Sequence, residues 1–287
     1  MNISFKIIFS FMCLTGASIL TIEAAEPLRP VRTGLSPVID GVLDDEIWEH
    51  ATSVTDFKTF VPDFGKDGSQ KTIGYAAYDS ENLYFAYRCF DTEPDKIKTS
   101  INSRDNIIQD DWVCINLDSF NDQQALTAFY INPNGIQADS KFSAGNEDFS
   151  GDLVWYSAGK MMDSGYTIEV QIPLKSLRYS DKEPVVMSVI FERYISRFSE
   201  HSSFPELDPA KGMAILTQMV PLEYSGIKHY TLLEVLPAAT YSYKSKLNEG
   251  KLVKDENKPD FSLTMKYGIT SDLILDGAVN PAFSQIE

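Results

Sequence analysis

The chain has 287 residues, which is enough for one or two domains with a sizeable hydrophobic core. Its 41 acidic and 25 basic residues give a formal net charge of −16. A surface this acidic repels phosphate groups, so the composition argues against nucleic acid as a partner and against adsorption to an anionic membrane surface. Aromatic residues make up 12% of the chain, which is typical of β-rich proteins.

The first 25 residues predict a secretory signal peptide. Lys6 supplies a positive charge, residues 7–20 form an apolar run, and Ala24 and Ala25 offer a small-residue cleavage point. The apolar run is shorter than the ~20 residues that a membrane-spanning helix needs. We therefore expect an exported protein whose mature chain begins after residue 25.

A tight turn and a short helix are predicted next. Residues 40–41 form an Asp-Gly turn pair. Leu43, Ile47 and Trp48 have the spacing of one helical face, and Asp44 is the predicted N-cap. Because Trp48 shares its face with aliphatic residues, we expect it to anchor the core rather than bind a ligand.

Short alternating segments then predict β-strands. Residues 72–79 and 82–91 form a pair joined by a hairpin-type turn at residues 79–82. Strands at such close spacing, with few helical patterns, indicate an all-β chain folded as an antiparallel β-sandwich. The other predicted strands cover residues 112–118, 127–132, 153–158, 166–172 and 185–198.

Two cysteines, Cys89 and Cys114, fall within these predicted strands. Export permits a disulfide between them, but buried free thiols are an equal alternative because the spacing does not require a bridge.

Residues 103–118 contain the best candidate for a ligand-binding strand. Two sets of side chains alternate along it, namely Val113, Ile115 and Leu117 against Trp112, Cys114, Asn116 and Asp118. A period of two places the aliphatic set against a core. The other face carries an aromatic ring beside polar groups, which suits a polar, ring-shaped ligand such as a sugar. The alternative is an ordinary sheet strand whose acids bind turn backbone.

Trp112 and Trp155 are the candidate rings for stacking on a sugar. Trp155 lies where a loop meets a strand, so its ring is either exposed for binding or buried in the sandwich core. Arg104 either donates to a sugar hydroxyl or pairs with Asp105 or Asp111.

Signatures of catalysis or of a metal site are scarce. The chain has no phosphate-binding glycine loop and no nucleophile-elbow motif. His50, His201 and His229 lie far apart and lack the spacing of zinc ligands. Residues 110–111 and 146–148 are rich in oxygen ligands for calcium, although no twelve-residue calcium loop is present. We therefore assign no catalytic residue and no metal ligand.

The pattern changes in residues 230–287. In residues 261–270 one face is wholly apolar and the other is small or polar, and residues 233–243 and 273–279 form less regular rows. Strands with this alternation occur in outer-membrane barrels and also in globular sheets with one wet face. Three strands cannot close a barrel, so under the first alternative the chain is a truncated piece.

Five short segments, in order, resemble the carbohydrate-binding module family 9 domain. They are residues 39–48, 78–84, 111–118, 129–135 and 165–173, and the likeness covers roughly residues 30–220. It implies an antiparallel, jelly-roll-like β-sandwich over residues 30–222 that binds sugars, often beside glycoside hydrolases. Members of this family hold the sugar between two tryptophans, use charged and amide side chains, and carry structural calcium.

Arg104 and Asp111 lie in a segment that matches the family, so the resemblance adds them to Trp112 and Trp155 as the candidate carbohydrate-binding residues. The chain departs from the family at Cys114, where a Glu is common. Residues 177–179, 193–197 and 280–285 also resemble exported bacterial proteins that join such a module to a large outer-membrane-type barrel. This second likeness implies that residues 230–287 are the first strands of an incomplete barrel. It also implies a location in the periplasm or outer membrane of a Gram-negative cell.

The leading hypothesis is therefore a non-catalytic module that binds a polysaccharide or oligosaccharide and is linked to catabolism of xylan- or cellulose-type glycans. One alternative is a periplasmic domain of an outer-membrane barrel protein with no sugar ligand. Another is a component of a glycoside hydrolase acting on O-glycosyl bonds. No cofactor is expected beyond the structural calcium that the resemblance implies.

Overall fold

The computed structural model describes residues 26–211, 214–231, 233–248, 251–269 and 273–280, so the predicted signal peptide at residues 1–25 lies outside the described residues. Among the described residues, no helix is long and apolar enough to cross a membrane. In chain order the elements are β1 (Val31–Arg32), α1 (Glu46–His50), β2 (Thr52–Val54), β3 (Lys58–Val61), β4 (Thr72–Tyr78), β5 (Asn82–Phe90), β6 (Trp112–Asp118), β7 (Ala125–Ile131), β8 (Gln137–Ser143), β9 (Asn146–Asp148), β10 (Tyr156–Met162), β11 (Gly165–Pro173), β12 (Val185–Ile195), β13 (Glu200–Phe204), β14 (Val220–Tyr224), β15 (Leu233–Asn248), β16 (Lys251–Gly268) and β17 (Ile274–Val279).

Two sheets form the main body. The smaller sheet has the order β1–β4–β5–β11–β10, with β2 beside β4. The larger sheet has the order β3–β13–β12–β6–β7–β8–β9, with β14 beside β12. Neighbouring strands such as β5 and β11, or β6 and β12, run antiparallel. The predicted antiparallel β-sandwich is confirmed.

The main core lies between the two sheets, because the alternation along each strand places one apolar face there. Val113, Ile115 and Leu117 of β6 are at most 1% exposed. They pack with apolar side chains of β5, β11 and β12 in one cluster. Burying each such side chain contributes about 1.5–3 kcal/mol, so β6 is a central, strongly held strand, as its alternation predicts.

The predicted strands are present with shifted ends. The strand expected at residues 153–158 begins only at Tyr156 and continues to Met162. β8, β13 and β14 were not predicted, because polar or mixed side chains break their alternation. The hairpin turn is confirmed, since the Asp79 carboxylate accepts the backbone N–H groups of Glu81 (2.6 Å) and Asn82 (2.7 Å).

The outer face of the smaller sheet is covered by α1. Trp48 is 6% exposed and its indole N–H donates to the buried Glu169 carboxylate at 2.7 Å. The prediction that Trp48 anchors the core is confirmed. The predicted cap at Asp44 is wrong, because Asp45 precedes the first helical residue and makes no side-chain capping bond.

The two cysteines face opposite sides of the structure. Cys89 belongs to the cluster between the sheets, whereas Cys114 packs on the outer face of the larger sheet. Both are free and buried, and burial raises the pKa of each thiol. Of the two alternatives, the structure has the free thiols.

A third sheet, in the order β15–β16–β17, follows the sandwich. The predicted apolar row on β16 faces outwards, with Phe261 71% exposed and Met265 41% exposed. Ser262 and Thr264, on the opposite face, are less exposed. On β16 the apolar row is therefore the more exposed one, whereas both faces of β15 carry exposed side chains, such as Tyr243 and Ser242.

Candidate functional site

A pocket of about 1000 Å³ opens on the outer face of the larger sheet. Ligand sites usually fall in the range of ~300–1000 Å³, so this pocket is at the upper end. We call it the aromatic pocket. Its floor is formed by Trp112, Asn116, Leu126, Tyr130, Ala138, Phe142, Glu192, Tyr194 and His201, and its rim by Phe60, Val61, Phe64, Asp105, Ile107, Ile108, Gln109, Glu147, Phe149, Leu207, Asp208 and Ile215.

Strand register gathers the floor residues. Trp112 of β6 lies opposite Tyr194 of β12, and Cys114 lies opposite both Glu192 of β12 and Tyr130 of β7. Because directly paired residues share a face, their side chains project together on the side away from the core. The face that sequence alternation assigned to a ligand is the face that lines the pocket.

The aromatic rings form a continuous arc across the floor and rim. Starting from Trp112, the ring centroid of Tyr130 lies 5.1 Å away and that of Tyr194 5.2 Å away. His201 is 4.5 Å from Tyr194, and the arc ends at Phe60, 5.5 Å from His201, and at Phe149, 6.1 Å from Tyr130. Such mutual edge and tilted contacts hold the rings rigidly, which lowers the entropic cost of binding a flat apolar ligand face.

Polar groups are few and convergent. Asn116 is 5% exposed, and its Nδ2 has no hydrogen-bond acceptor among the described residues. Glu192 is partly buried beside it. Burial first, and then the charge of Glu147, raise the pKa of Glu192 to about 7; the neighbouring Asn116 amide opposes this rise, although its Nδ2 does not reach hydrogen-bonding geometry with the carboxylate. The Glu147 carboxylate accepts the hydroxyls of Tyr130 (2.8 Å) and Ser140 (2.6 Å).

His201 contributes a ring rather than a charge. Burial lowers its pKa, because the protonated imidazolium is poorly solvated among the neighbouring rings. At neutral pH the imidazole is therefore uncharged and acts as one more flat surface in the arc.

The structure separates the four predicted site residues. Trp112 lines the aromatic pocket, whereas Arg104 and Trp155 meet outside it. The Arg104 guanidinium lies 5.9 Å from the Trp155 ring, and both side chains donate to the Asp139 carboxylate. Trp155 is 3% exposed and packs against Phe129 in the main core. Of the two alternatives for Trp155, an exposed ring or a ring buried in the sandwich core, the structure has the buried ring.

Asp111 lies on the core side of β6. It is fully buried, and one carboxylate oxygen accepts the backbone N–H (3.0 Å) and the hydroxyl (2.8 Å) of Ser196. Burial raises its pKa, against the opposing charges of Arg193 and Arg197. Its carboxylate therefore ties strand ends together and does not reach the pocket.

The Arg193 guanidinium supplies a positive charge near the buried Asp111 carboxylate. It is 1% exposed, donates to Thr72 at 3.0 Å and to the backbone oxygen of Phe90 at 3.0 Å, and lies 4.0 Å from Asp91. Arg197 also pairs with Asp91 at 2.7 Å. This network links β12 to β4 and β5 across the sandwich, so it is structural.

The acidic clusters do not fit the calcium that the family resemblance implies. Asp105, Asp139 and Asp152 bring carboxylate oxygens within 4.8 Å of one another. However, both oxygens of Asp139 already accept hydrogen bonds, and Arg104 supplies the positive charge there. Calcium takes six to eight oxygen ligands, which this cluster cannot offer while the guanidinium is present.

The two segments proposed for calcium are also engaged elsewhere. The Asp110 carboxylate accepts hydrogen bonds from Ser100 and Asn132, whereas Asp111 points into the core. In β9, Glu147 turns to Tyr130 and Ser140, and Asp148 accepts the backbone N–H of Ser150 at 2.9 Å. Their oxygen atoms diverge and form no shared site.

The main residues that the sequence did not single out are Glu192, Tyr194 and His201. Glu192 and Tyr194 alternate with the core residues Phe191 and Arg193 along β12, which is the signal that could have placed them on the outer face. His201 comes from β13, whose mixed sequence gives no such signal, and only the pairing of β13 with β12 brings it to Tyr194.

A family model described as a carbohydrate family 9 binding domain-like domain matches residues 39–194, more than half of the chain. A search of curated proteins found no match.

The solved structures that are similar to this chain include the following three. Two are of a carbohydrate binding module family 9 from Caldicellulosiruptor kristjanssonii, one in complex with cellotriose and one with glucose. They are 21% and 20% identical, cover 70% of this chain and 95% and 98% of their own, and have TM-scores of 0.48 and 0.49. The third, a candidate carbohydrate-binding protein from Bacteroides uniformis, is 9% identical, covers 70% of this chain and all (100%) of its own, and has a TM-score of 0.56. It shares the fold.

Proposed function

The chain belongs to the carbohydrate family 9 binding domain-like family, and we propose that it binds a sugar, without catalysing its reaction, in the aromatic pocket. The single observation that carries the proposal is the arc of rings around Trp112, on a pocket floor that also holds Asn116 and Glu192. Flat rings pack on the apolar faces of sugars, and amide and carboxylate groups bind the hydroxyls.

The arrangement supports binding better than chemistry. The pocket is concave and mostly apolar, with a small number of convergent polar groups, as is usual for sites that orient a small ligand. Asn116 lines the pocket beside Glu192, and its amide nitrogen makes no hydrogen bond among the described residues, so a sugar hydroxyl or ring oxygen is a suitable acceptor. In this proposal Tyr194 and the accessible part of Trp112, which is 7% exposed, supply the stacking surface, and Asn116 and Glu192 orient the ring.

In the proposed function Arg104, Asp111 and Trp155 stabilise the fold around the pocket and do not contact the sugar. Arg104 and Trp155 hold the β8 side of the sandwich through Asp139, and Asp111 holds the start of β6. Their contribution is to position Trp112, and changes there are expected to affect folding before binding.

The proposal is tested by calorimetric titration of the full chain with cello- and xylo-oligosaccharides. We expect Trp112→Ala to weaken binding at least tenfold, about 1.4 kcal/mol, because the stacking surface is lost. Asn116→Ala removes a donor with little change in packing and should weaken binding several-fold. Tyr156→Ala is the matched control, since Tyr156 is 50% exposed on the smaller sheet. No binding at millimolar sugar, or wild-type affinity in both pocket variants, would contradict the proposal.

We also propose that the protein is exported and that its third sheet lies against the outer membrane. On β16 the apolar row is the more exposed one, as Phe261 and Leu263 show at 71% and 41%. A globular sheet with one wet face would bury that row and expose the polar one. Lipid is a suitable cover for an outward apolar row on long, alternating strands. The signal-like residues 1–25 support export.

A further inference from the structure

The aromatic pocket is lined by acids and not by bases. Among the described lining residues, the charged side chains are Asp105, Glu147, Glu192 and Asp208. No lysine or arginine is among them, and His201 is uncharged at neutral pH because burial lowers its pKa. The pocket therefore has a negative potential that the surrounding low-dielectric rings strengthen.

Two of these acids, Glu147 and Glu192, repel each other. Burial and the charge of Glu147 raise the pKa of Glu192 to about 7. A cation placed between two such carboxylates removes the repulsion and favours the ionised form of both. A neutral ligand would leave the repulsion in place, and an acidic ligand would increase it.

The rings add a second preference for positive charge. Trp112, Tyr130, Tyr194 and Phe149 present aromatic surfaces around the same space. The face of such a ring attracts an ammonium group by about 0.5–2 kcal/mol, the larger value applying in desolvated sites. A cage of aromatic rings with carboxylates beside it is a common arrangement for binding ammonium groups.

An independent observation points to a ligand at the same place. Asn116 is 5% exposed, lines the pocket, and has an amide nitrogen without an acceptor. A buried polar group without a partner costs about 1–3 kcal/mol, so such groups usually meet a ligand or water. The Asn116 amide lowers the pKa of Glu192, so it lies beside that carboxylate, and one ligand can meet both groups together.

We propose that the aromatic pocket prefers a sugar that carries a protonated amine, that is, an amino sugar without an acetyl group on its nitrogen. The ammonium group faces Glu192 and Glu147, the ring stacks within the arc next to Trp112, and Asn116 donates to a ring substituent. This inference rests on the proposed sugar binding and names the class of sugar.

The test uses three monosaccharides that share one ring and differ only at one position: glucose, glucosamine and N-acetylglucosamine. The full chain is titrated with each at pH 7 and physiological salt, which screens the overall charge of −16. We expect glucosamine to bind at least fivefold more tightly than the other two. In Glu192→Gln this advantage should fall below twofold.

Two matched variants and one further ligand complete the test. Glu49→Gln makes the same charge change on α1, on the opposite side of the sandwich, and should keep the full advantage. Glu147→Gln, on the exposed strand β9, should reduce it and serves as a second variant if Glu192→Gln folds poorly. Cyclohexylamine carries the charge without the hydroxyls and should bind more weakly than glucosamine.

The outcomes separate this inference from the proposed function. Equal binding of glucose and glucosamine, both weakened by Trp112→Ala, overturns the amine preference and leaves sugar binding intact. A glucosamine preference that persists in Glu192→Gln, or equally tight binding of cyclohexylamine, also overturns it. Binding of none of the sugars overturns both.

Discussion

At the scale of single residues, Glu192 is the side chain that most changes the interpretation of the site. A Glu is common in the resembling family at the position of Cys114, and this chain lacks it. Strand pairing places Glu192 directly opposite Cys114, so a carboxylate reaches the same face from the neighbouring strand. The departure at Cys114 therefore does not remove the acid from the pocket.

The raised pKa of Glu192 has a consequence for stability. Its pKa rises from 4.5 to about 7 on folding, first through burial and then through Glu147. A carboxyl with a raised folded-state pKa stabilises the fold fully below pH 4.5, and this contribution is lost as the pH rises towards 7. Chemical denaturation from pH 5 to pH 8 should show Glu192→Gln gaining roughly 1–3 kcal/mol relative to the wild-type protein.

Glu49→Gln is the control for that measurement, since Glu49 is exposed. Its difference from the wild-type protein should stay flat across the same pH range. A flat difference for Glu192→Gln as well would mean that the Glu192 carboxylate is well solvated, and the argument for a desolvated acidic floor would fail.

At the scale of elements, β6 is where sequence reasoning was most successful. A strict period of two in residues 112–118 predicted the core face, and the opposite face lines the aromatic pocket. The prediction succeeds because successive side chains of a strand point to opposite faces, so Val113, Ile115 and Leu117 pack between the sheets while Trp112 and Cys114 pack on the outer face.

Register and loop paths could not be predicted in the same way. The approach of Glu192 to Trp112 depends on how β12 pairs with β6, which is far away in the sequence. His201 then reaches Trp112 because β13, the next strand in the chain, pairs with β12. The burial of Trp155 depends on Phe129 and Asp139, which come from other strands. Long-range pairing leaves no signal in the local alternation of side chains, so these parts of the site could not be predicted from the sequence.

The third sheet gives a prediction of its own. The full chain should bind phosphatidylcholine vesicles through the outward apolar row of β16, because that row has no cover among the described residues. Phe261→Asp should reduce the vesicle-bound fraction several-fold in a flotation assay, because a charge in the apolar row is costly in lipid. Ser262→Asp, on the opposite face of the same strand, should have little effect. Equal loss in both variants, or no binding by the wild-type chain, would contradict a lipid-facing sheet.

At the scale of the whole molecule, the two outer faces of the sandwich have different roles. The outer face of the smaller sheet is occupied by α1, with Trp48 held by Glu169. The outer face of the larger sheet is instead left open as the aromatic pocket, bordered by the segments around Phe60, Ile107 and Leu207. Among the described residues of the sandwich, the open concave face with rings and free polar groups is therefore the one on the larger sheet.

The central claim is that a sugar occupies this open face, and a crystal structure of the chain with a bound oligosaccharide tests it most directly. We predict one sugar ring packed against Trp112 and Tyr194, with the Asn116 amide nitrogen about 2.9 Å from a sugar oxygen. A sugar bound beside Arg104 and Trp155, or on the smaller sheet, with the aromatic pocket empty at saturating ligand, would contradict the claim.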